Sequence, residues 1–315
     1  MLTLGEVHTG LLQSSEALPP EAVRRSFDAL AGEGTTIRSR PVPVVESVPR
    51  LTGVDCTLPS ATGTRRRAVG TVSTRMTIVA GRVAQATSSL ALTPGTDGRR
   101  HPWSYYLARP ATVEVLGSWR PDDVATGFLE GTSDPAVLSV EGITTRGLDD
   151  VQHSGELDGK PPLRAVRTRV RWVATTARAG APAHVVFRID SPTVRSVHLS
   201  LPPGDVDGAE AICSEIALHD WLLSCLEGLL ARARVGHRET SQSVALLRPA
   251  VEHLLHLWQP AARLPPHLAA YWREFDRRSG ATGQWSAMVL RVRDLVTLAA
   301  IDTAGRMSLT DKGAR

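Results

Sequence analysis

The stretch RTRVRWVATTARAGAPAHVVFRIDSPTVRSVHLSLPPGD, Arg167–Asp205, decides the fold, because the hydrophobic period changes just beyond it. Inside it the period is two. Arg167, Arg169 and Arg171 share one face of the first strand, and Thr168, Val170 and Trp172 share the other. Val185, Phe187 and Ile189 form the apolar face of the next arm, with turns expected at Gly180 and at Ser191–Pro192. The reading is three antiparallel strands.

From Asp207 onward the period is helical. Ile212, Ile216, His219, Leu223, Leu226 and Leu230 step by four and three along one face of a long helix. A second helix is expected from about Ser243 to Trp258, started or kinked by Pro249. PPHLAAYWREFDRR and QWSAMVLRVRDLVTLAAI supply two more, and four of the seven tryptophans (Trp221, Trp258, Trp272, Trp285) lie in these segments, as anchors of a helical core would.

Upstream, the chain reads as short strands broken by turns. LTLGEVHTGLLQSS opens β-compatible, and LPPEAVRRSFDALAGEG is a short helix with Pro20 in its first turn and Gly32 past its end. RPVPVVESVPRL is extended edge or loop. RRRAVGTVSTRMTIVAGRVAQATSSLALT is a hairpin turning at Ala80–Gly81, faintly echoed by the 167–201 segment. YYLARPATVEVLGSW adds a strand, and Arg120–Pro161, rich in Gly and Asp, reads as a connector. The expected class is α+β. Residues 1–150 form a β-rich domain with one short helix, and 151–302 carry the three antiparallel strands and a C-terminal bundle of about four helices. Residues 303–315 are a flexible tail.

Composition narrows the function classes. The 315 residues, 42% hydrophobic and 22% charged, suit a globular chain with a sizeable core. Net charge is +4, carried almost wholly by arginine, since lysine occurs only at Lys160 and Lys312. That excess is small for a protein whose affinity would rest on many neutralised phosphates. Three cysteines, Cys56, Cys213 and Cys225, without C-x-x-C spacing argue against a disulfide framework or zinc knuckle. Cys213 and Cys225, twelve positions apart on one helix, would stand roughly 18 Å apart. The first residues show no basic leader before an apolar core, and no run approaches a membrane span, so a cytoplasmic protein is expected.

Several stretches act as a set: GEVHTGLLQSS, RLTGVDC, VGTVSTR, PWSYYLARP, RTRVRW, ALHDWLL, LRPAVEHLLHLWQPAAR and QWSAMVLRVRD. In this order, from about Gly5 to Leu298, the chain resembles an actinobacterial protein family of Streptomyces-type genomes. Members are typically encoded beside a variant P-loop NTPase-like protein and a SAM-dependent methyltransferase. The resemblance implies a cytoplasmic multi-component system, with the P-loop NTPase-like protein or sister subunits as partners. It carries no catalytic residue across.

Candidate sites follow from residue type. LHDW (Leu218–Trp221) and HLLHLW (His253–Trp258) each set a histidine two residues before a tryptophan. His219, His253 and His256, with Asp220 nearby, could ligate a metal if the two helices pair. Core packing is the preferred reading, because His219 sits within an apolar stripe and H-E-x-x-H spacing is absent. Cys56 in GVDC, with His8, could be a nucleophile and base, against the commoner small buried thiol. No P-loop, dinucleotide-binding or G-x-S-x-G signature occurs. Among the basic groups Arg65–Arg67, Arg99–Arg100 and Arg167/Arg169/Arg171, the last stripe could grip an acidic partner or a phosphate backbone, although the default expectation is the solvated face of an antiparallel sheet. Trp172 lies on the opposite face of its strand, so the stripe lacks the aromatic platform of single-strand binders. The expectation is a non-enzymatic interaction subunit without cofactor. The alternatives are a nucleic-acid-associated regulator and a metal-dependent or cysteine enzyme.

Overall fold

A tight turn at Ala80–Gly81 stands where the sequence places one. The computed structural model describes residues 2–95, 98–131, 134, 136–177, 184–233 and 240–313, with 240–241 and 302–313 as backbone alone. Ala80 and Gly81 take φ of 52° and 62°, and Arg82 N donates to Val79 O across the turn at 3.0 Å. Before it come β1 (Leu2–Leu11), α1 (Pro20–Ala31) and the strands β2 (Thr36–Arg38), β3 (Val44–Glu46) and β4 (Arg50–Thr57). Pro20 opens α1 as expected, and Gly32 at φ 93° ends it with its N–H on Asp28 O. The hairpin arms are β5 (Arg67–Val79) and β6 (Val83–Pro94).

Beyond the hairpin the structure departs from the sequence reading in three places. Tyr105–Leu107 belong to a one-turn helix, α2 (Trp103–Leu107), and only β7 (Thr112–Val115) is strand. The expected connector at 120–161 holds two helices, α3 (Pro121–Glu130) and α4 (Val140–Gln152). Pro121 and two aspartates start α3, and the Ser139 side chain caps α4 by accepting from Gly142 N. Their buried faces are Val124, Ala125, Gly127 and Phe128, then Val140, Thr144, Gly147, Leu148 and Val151. Small and polar residues at those positions hide the helical period.

The third departure concerns β8 (Thr168–Thr176), β9 (His184–Ile189) and β10 (Val194–Leu201). β9 and β10 are antiparallel, but β10 runs parallel to β8 and lies between the two. Burial explains the order. Val197, Leu199 and Leu201 of β10 are fully enclosed, whereas Arg188 and Ile189 of β9 are exposed and suit an edge. The expected turn at Gly180 lies outside the described residues.

One ten-stranded sheet results, ordered β2-β3-β5-β7-β6-β1-β8-β10-β9, with β4 on β5 alongside β3. β1 pairs with β6 on one edge and with β8 on the other, so the sheet crosses the boundary read at residue 150. The architecture is α+β, with eight α-helices among the described residues. α1, α3 and α4 cover one face, packing Phe27, Phe128 and Leu148 onto Leu2, Leu4, Met76 and Leu92. The other face carries α5 (Ala209–Ala233), α6 (Thr240–His253), α7 (Ala269–Ser279) and α8 (Ala281–Gly313). α8 runs through residues 303–313, assigned to a tail from sequence; 314 and 315 lie outside the described residues. Ala304, Arg306, Met307 and Leu309 are good helix formers. No helix among the described residues is long and apolar enough to cross a membrane.

At the sheet centre Gly5 of β1 faces Trp172 of β8. A Cβ on Gly5 would stand 2.3 Å from Ser88 O and 2.6 Å from the Trp172 indole. Gly5→Ala is therefore expected to destabilise the chain by about 1–3 kcal/mol, read by urea denaturation. A change within error would mean that the indole does not lie on this glycine.

Candidate functional sites

The two histidine–tryptophan stretches do meet, but not as a metal centre. His219 of α5 is buried, and its Nδ1 donates to Glu215 O four residues back at 2.9 Å. Its ring lies 4.8 Å from Trp258 and 4.6 Å from Trp272, and Trp258 stacks on Trp285 at 4.5 Å. Burial lowers the His219 pKa, against the pull of the Glu215 carboxylate. Arg263 closes this region, donating from Nε to Glu215 Oε2 at 2.6 Å and from Nη1 to Gln85 of β6 at 3.3 Å. Asp220 turns the other way and accepts from Arg195 Nε at 3.1 Å. Its pKa is nonetheless raised, because burial outweighs the guanidinium's attraction.

His253 and His256 stand elsewhere. Both have lowered pKa, first through burial and then through the charge of Arg82 at the β5–β6 turn. The Arg82 charge that disfavours their protonated forms disfavours a metal cation at the same rings. Among the described residues no group of three potential ligands is positioned to hold one.

The arginine stripe keeps its shared face, but α3 and α4 cover it. Arg171 is buried, with Nε 3.2 Å from Glu6 Oε1 and Nη1 donating to Leu129 O of α3 at 3.0 Å. Arg169 pairs with Glu141 of α4, and Arg167, which is exposed, with Asp149 at 2.5 Å. The sequence supplied the alternation; it did not reveal that 120–152 folds back over it. His8 joins the seam, its Nε2 3.0 Å from Glu6 Oε2. A cavity of about 240 Å³ opens beside Glu6, Arg171, Glu141 and Ser139, its arginine already engaged by carboxylate and carbonyl.

Cys56 and His8 do not come together. At Cys56 the sheet runs β4-β5-β7-β6-β1, so four strand spacings, about 19 Å, separate it from β1. Burial, with Asp55 next to it, pushes the Cys56 thiol up to about 11, so it stays protonated at neutral pH.

A surface feature escaped the sequence reading. The Trp103 indole lies on Gly53 of β4, where an added Cβ would be 3.1 Å from the ring. Trp103 is 38% exposed and Leu107, one turn on, 57%. Leu51, two residues from Gly53 on the same face of β4, is exposed as well. Arginines rim this apolar centre. Arg100 sits 5.2 Å over the Trp103 ring and shares Asp55 with Arg67 (3.0 and 2.7 Å), which holds the Asp55 pKa low, Arg67 foremost. Arg109 covers Tyr105 at 4.2 Å and reaches Glu114 at 2.7 Å. Tyr106, buried beneath, anchors α2. The only sequence cue was the Trp103/Leu107 spacing, visible once α2 is helical.

These features define a layered α+β protein with charged groups locked inside its core and an arginine-rimmed aromatic patch outside. No protein-family model matches the chain, and no significant match occurs among curated proteins or solved structures.

Two outcomes follow from the buried charges. Arg171→Ala or Glu6→Ala alone is expected to cost about 3–5 kcal/mol by leaving one buried charge without its opposite, whereas Glu6→Leu with Arg171→Met recovers most of that loss. Urea denaturation checks both, and single losses under about 1 kcal/mol would contradict a structural seam. For His219, the depressed folded pKa means the unfolded chain binds more protons in acid. Stability is then full above the unfolded value of about 6.5 and declines as pH falls below it. Denaturation midpoints at pH 7.5 and 5.5 should fall less steeply in His219→Phe than in the unaltered chain. Equal slopes would show that His219 is not buried neutral.

Proposed function

We propose that this chain is a non-enzymatic protein-interaction subunit of a multi-component cytoplasmic system, with a P-loop NTPase-like protein as its partner. The observation that carries the reading is the exposed Trp103–Leu107 pair on α2 with Leu51 beside it, rimmed by Arg67, Arg100 and Arg109. Tryptophan and arginine around a small apolar centre are the residue types that dominate binding energy at protein interfaces. Each rim arginine is already oriented by Asp55 or Glu114, so little side-chain freedom is lost on association. The partner's class comes from the family resemblance.

The alternatives find less support. Nucleic-acid binding through Arg167/Arg169/Arg171 would need guanidiniums open to phosphates, and two of the three lie under α3 and α4 facing Glu6 and Glu141. A cysteine or metal enzyme would need groupings that the fold keeps apart.

The test is titration calorimetry of the chain with the P-loop protein encoded beside it. A complex is expected, weakened by about 2 kcal/mol in Trp103→Ala, with near-native urea stability for the variant. Affinity indifferent to Trp103→Ala and Leu107→Ala would place the interface elsewhere, and absence of any complex would remove the reading.

A further inference from the structure

β4 is joined to the sheet along one edge, its register with β5 running from Arg50 opposite Thr74 to Thr57 opposite Arg67. Thr57 turns its own peptide groups the other way. Its N–H donates to Ala136 O at 3.1 Å, and its C=O accepts from Leu138 N at 2.8 Å. Leu58 N donates inward, to Arg66 O. Antiparallel ladders alternate with period two, so Arg50, Thr52, Val54 and Cys56 bond to β5, and Leu51, Gly53 and Asp55 aim N–H and C=O outward. Among the described residues nothing meets those outward groups, and Leu51, Gly53 and Asp55 are exposed. The row outside is filled on either side: β2 lies beside Val44–Glu46, and Val137 lies beside Thr57. Between them the edge of β4 faces solvent.

We infer that the outer edge of β4 takes up an extended segment of a partner protein as one further antiparallel strand. The inference rests on the α2 patch being an interface, because Leu51 and the Trp103 indole stand on the face of β4 beside that edge. The backbone selects the class of ligand: donors and acceptors alternating at strand spacing are met in full by another strand. Side chains select its sequence. A residue of the incoming strand opposite Gly53 projects on the Trp103 face, where glycine leaves room for an aromatic or large aliphatic side chain beside the indole. A second copy of the chain does not fit. Two β4 edges paired about Gly53 would set Pro49 of one opposite Thr57 of the other, and Val137 already holds that place. Shifting the register one way brings Leu51 there instead. Shifting it the other way sets Asp55 against Pro49, which has no N–H to give.

The probe is a labelled, end-capped peptide, Thr-Val-Thr-Phe-Thr-Val-Thr, compared by fluorescence anisotropy with the same peptide N-methylated at phenylalanine and both valines. Methylation keeps every side chain and removes the donors that face the edge. The plain peptide should bind the intact chain, and the methylated one should bind at least about tenfold more weakly. Leu51→Pro removes an outward N–H that the β5 ladder does not use. It should weaken binding by about tenfold with circular dichroism unchanged, and Leu51→Ala, which removes the side chain alone, should weaken it less. Hydrogen exchange of the unaltered chain needs no variant. Without peptide the amides of Leu51, Gly53 and Asp55 should exchange fast and those of Thr52, Val54 and Cys56 slowly; saturating peptide should slow the first set. Failure of the plain peptide to bind, equal binding of the two peptides, or a first set unchanged by peptide would overturn the inference. So would a first set already slow in the free chain. No P-loop protein takes part, so failure of the calorimetric complex and failure of strand addition are read separately.

Discussion

β1 has a hydrogen-bonded neighbour along both edges, β6 from Leu2 to Leu11 and β8 from Leu2 to Thr9, and the positions of the other elements follow from that. A ten-residue strand at the chain's start joins the β5–β6 hairpin to strands formed more than 150 residues later. Its alternation serves two layers at once. Leu2 and Leu4 pack under α3 and α4, while Val7 and Leu11 enter the cores beneath α5 to α8. A one-residue slip would exchange these sets and push Glu6 and His8 into the apolar side.

Buried charge supports that register. Glu6 with Arg171 ties β1 to β8 below α3, Glu215 with Arg263 ties α5 to the segment before α7, and Arg195 with Asp220 ties β10 to α5. Such pairs are weak sources of net stability, because desolvation offsets their attraction. What they penalise is any arrangement that strands one partner. The sheet's polar residues, among them the hydrogen-bonded pair Thr74 and Ser88 and the Gln85 that Arg263 reaches, belong to the same pattern. The layers are pinned by polar contacts between specific residues.

Legibility in the sequence followed physical type. The Ala80–Gly81 turn and the α5 stripe were readable because glycine supplies the positive φ of a tight turn and large aliphatics at three-four spacing line one face of a helix. α3 and α4 were not, since their sheet-facing positions include Ala125, Gly127, Thr144 and Gly147. Gly147 lets α4 approach the sheet closely, since a Cβ there would lie 3.0 Å from Thr74 Cγ2. Period-two alternation gave the faces of β8 correctly but says nothing about partners, so neither the parallel pairing with β10 nor the cover over the arginines could be read. His219 was legible as core; its tryptophan neighbours came from helices whose packing only the fold decides. The α2 patch rests on Gly53 meeting Trp103, fifty positions apart and linked by no local pattern.

The most direct measurement of the joined sheet is native-state hydrogen exchange of the intact chain in increasing urea. Amides of β1, β6 and β8 should form the slowest-exchanging set and open together, at the free energy of global unfolding. Residues up to 152 opening at a different urea concentration from those after 168, with β1 exchanging early, would contradict a sheet held together through its first strand.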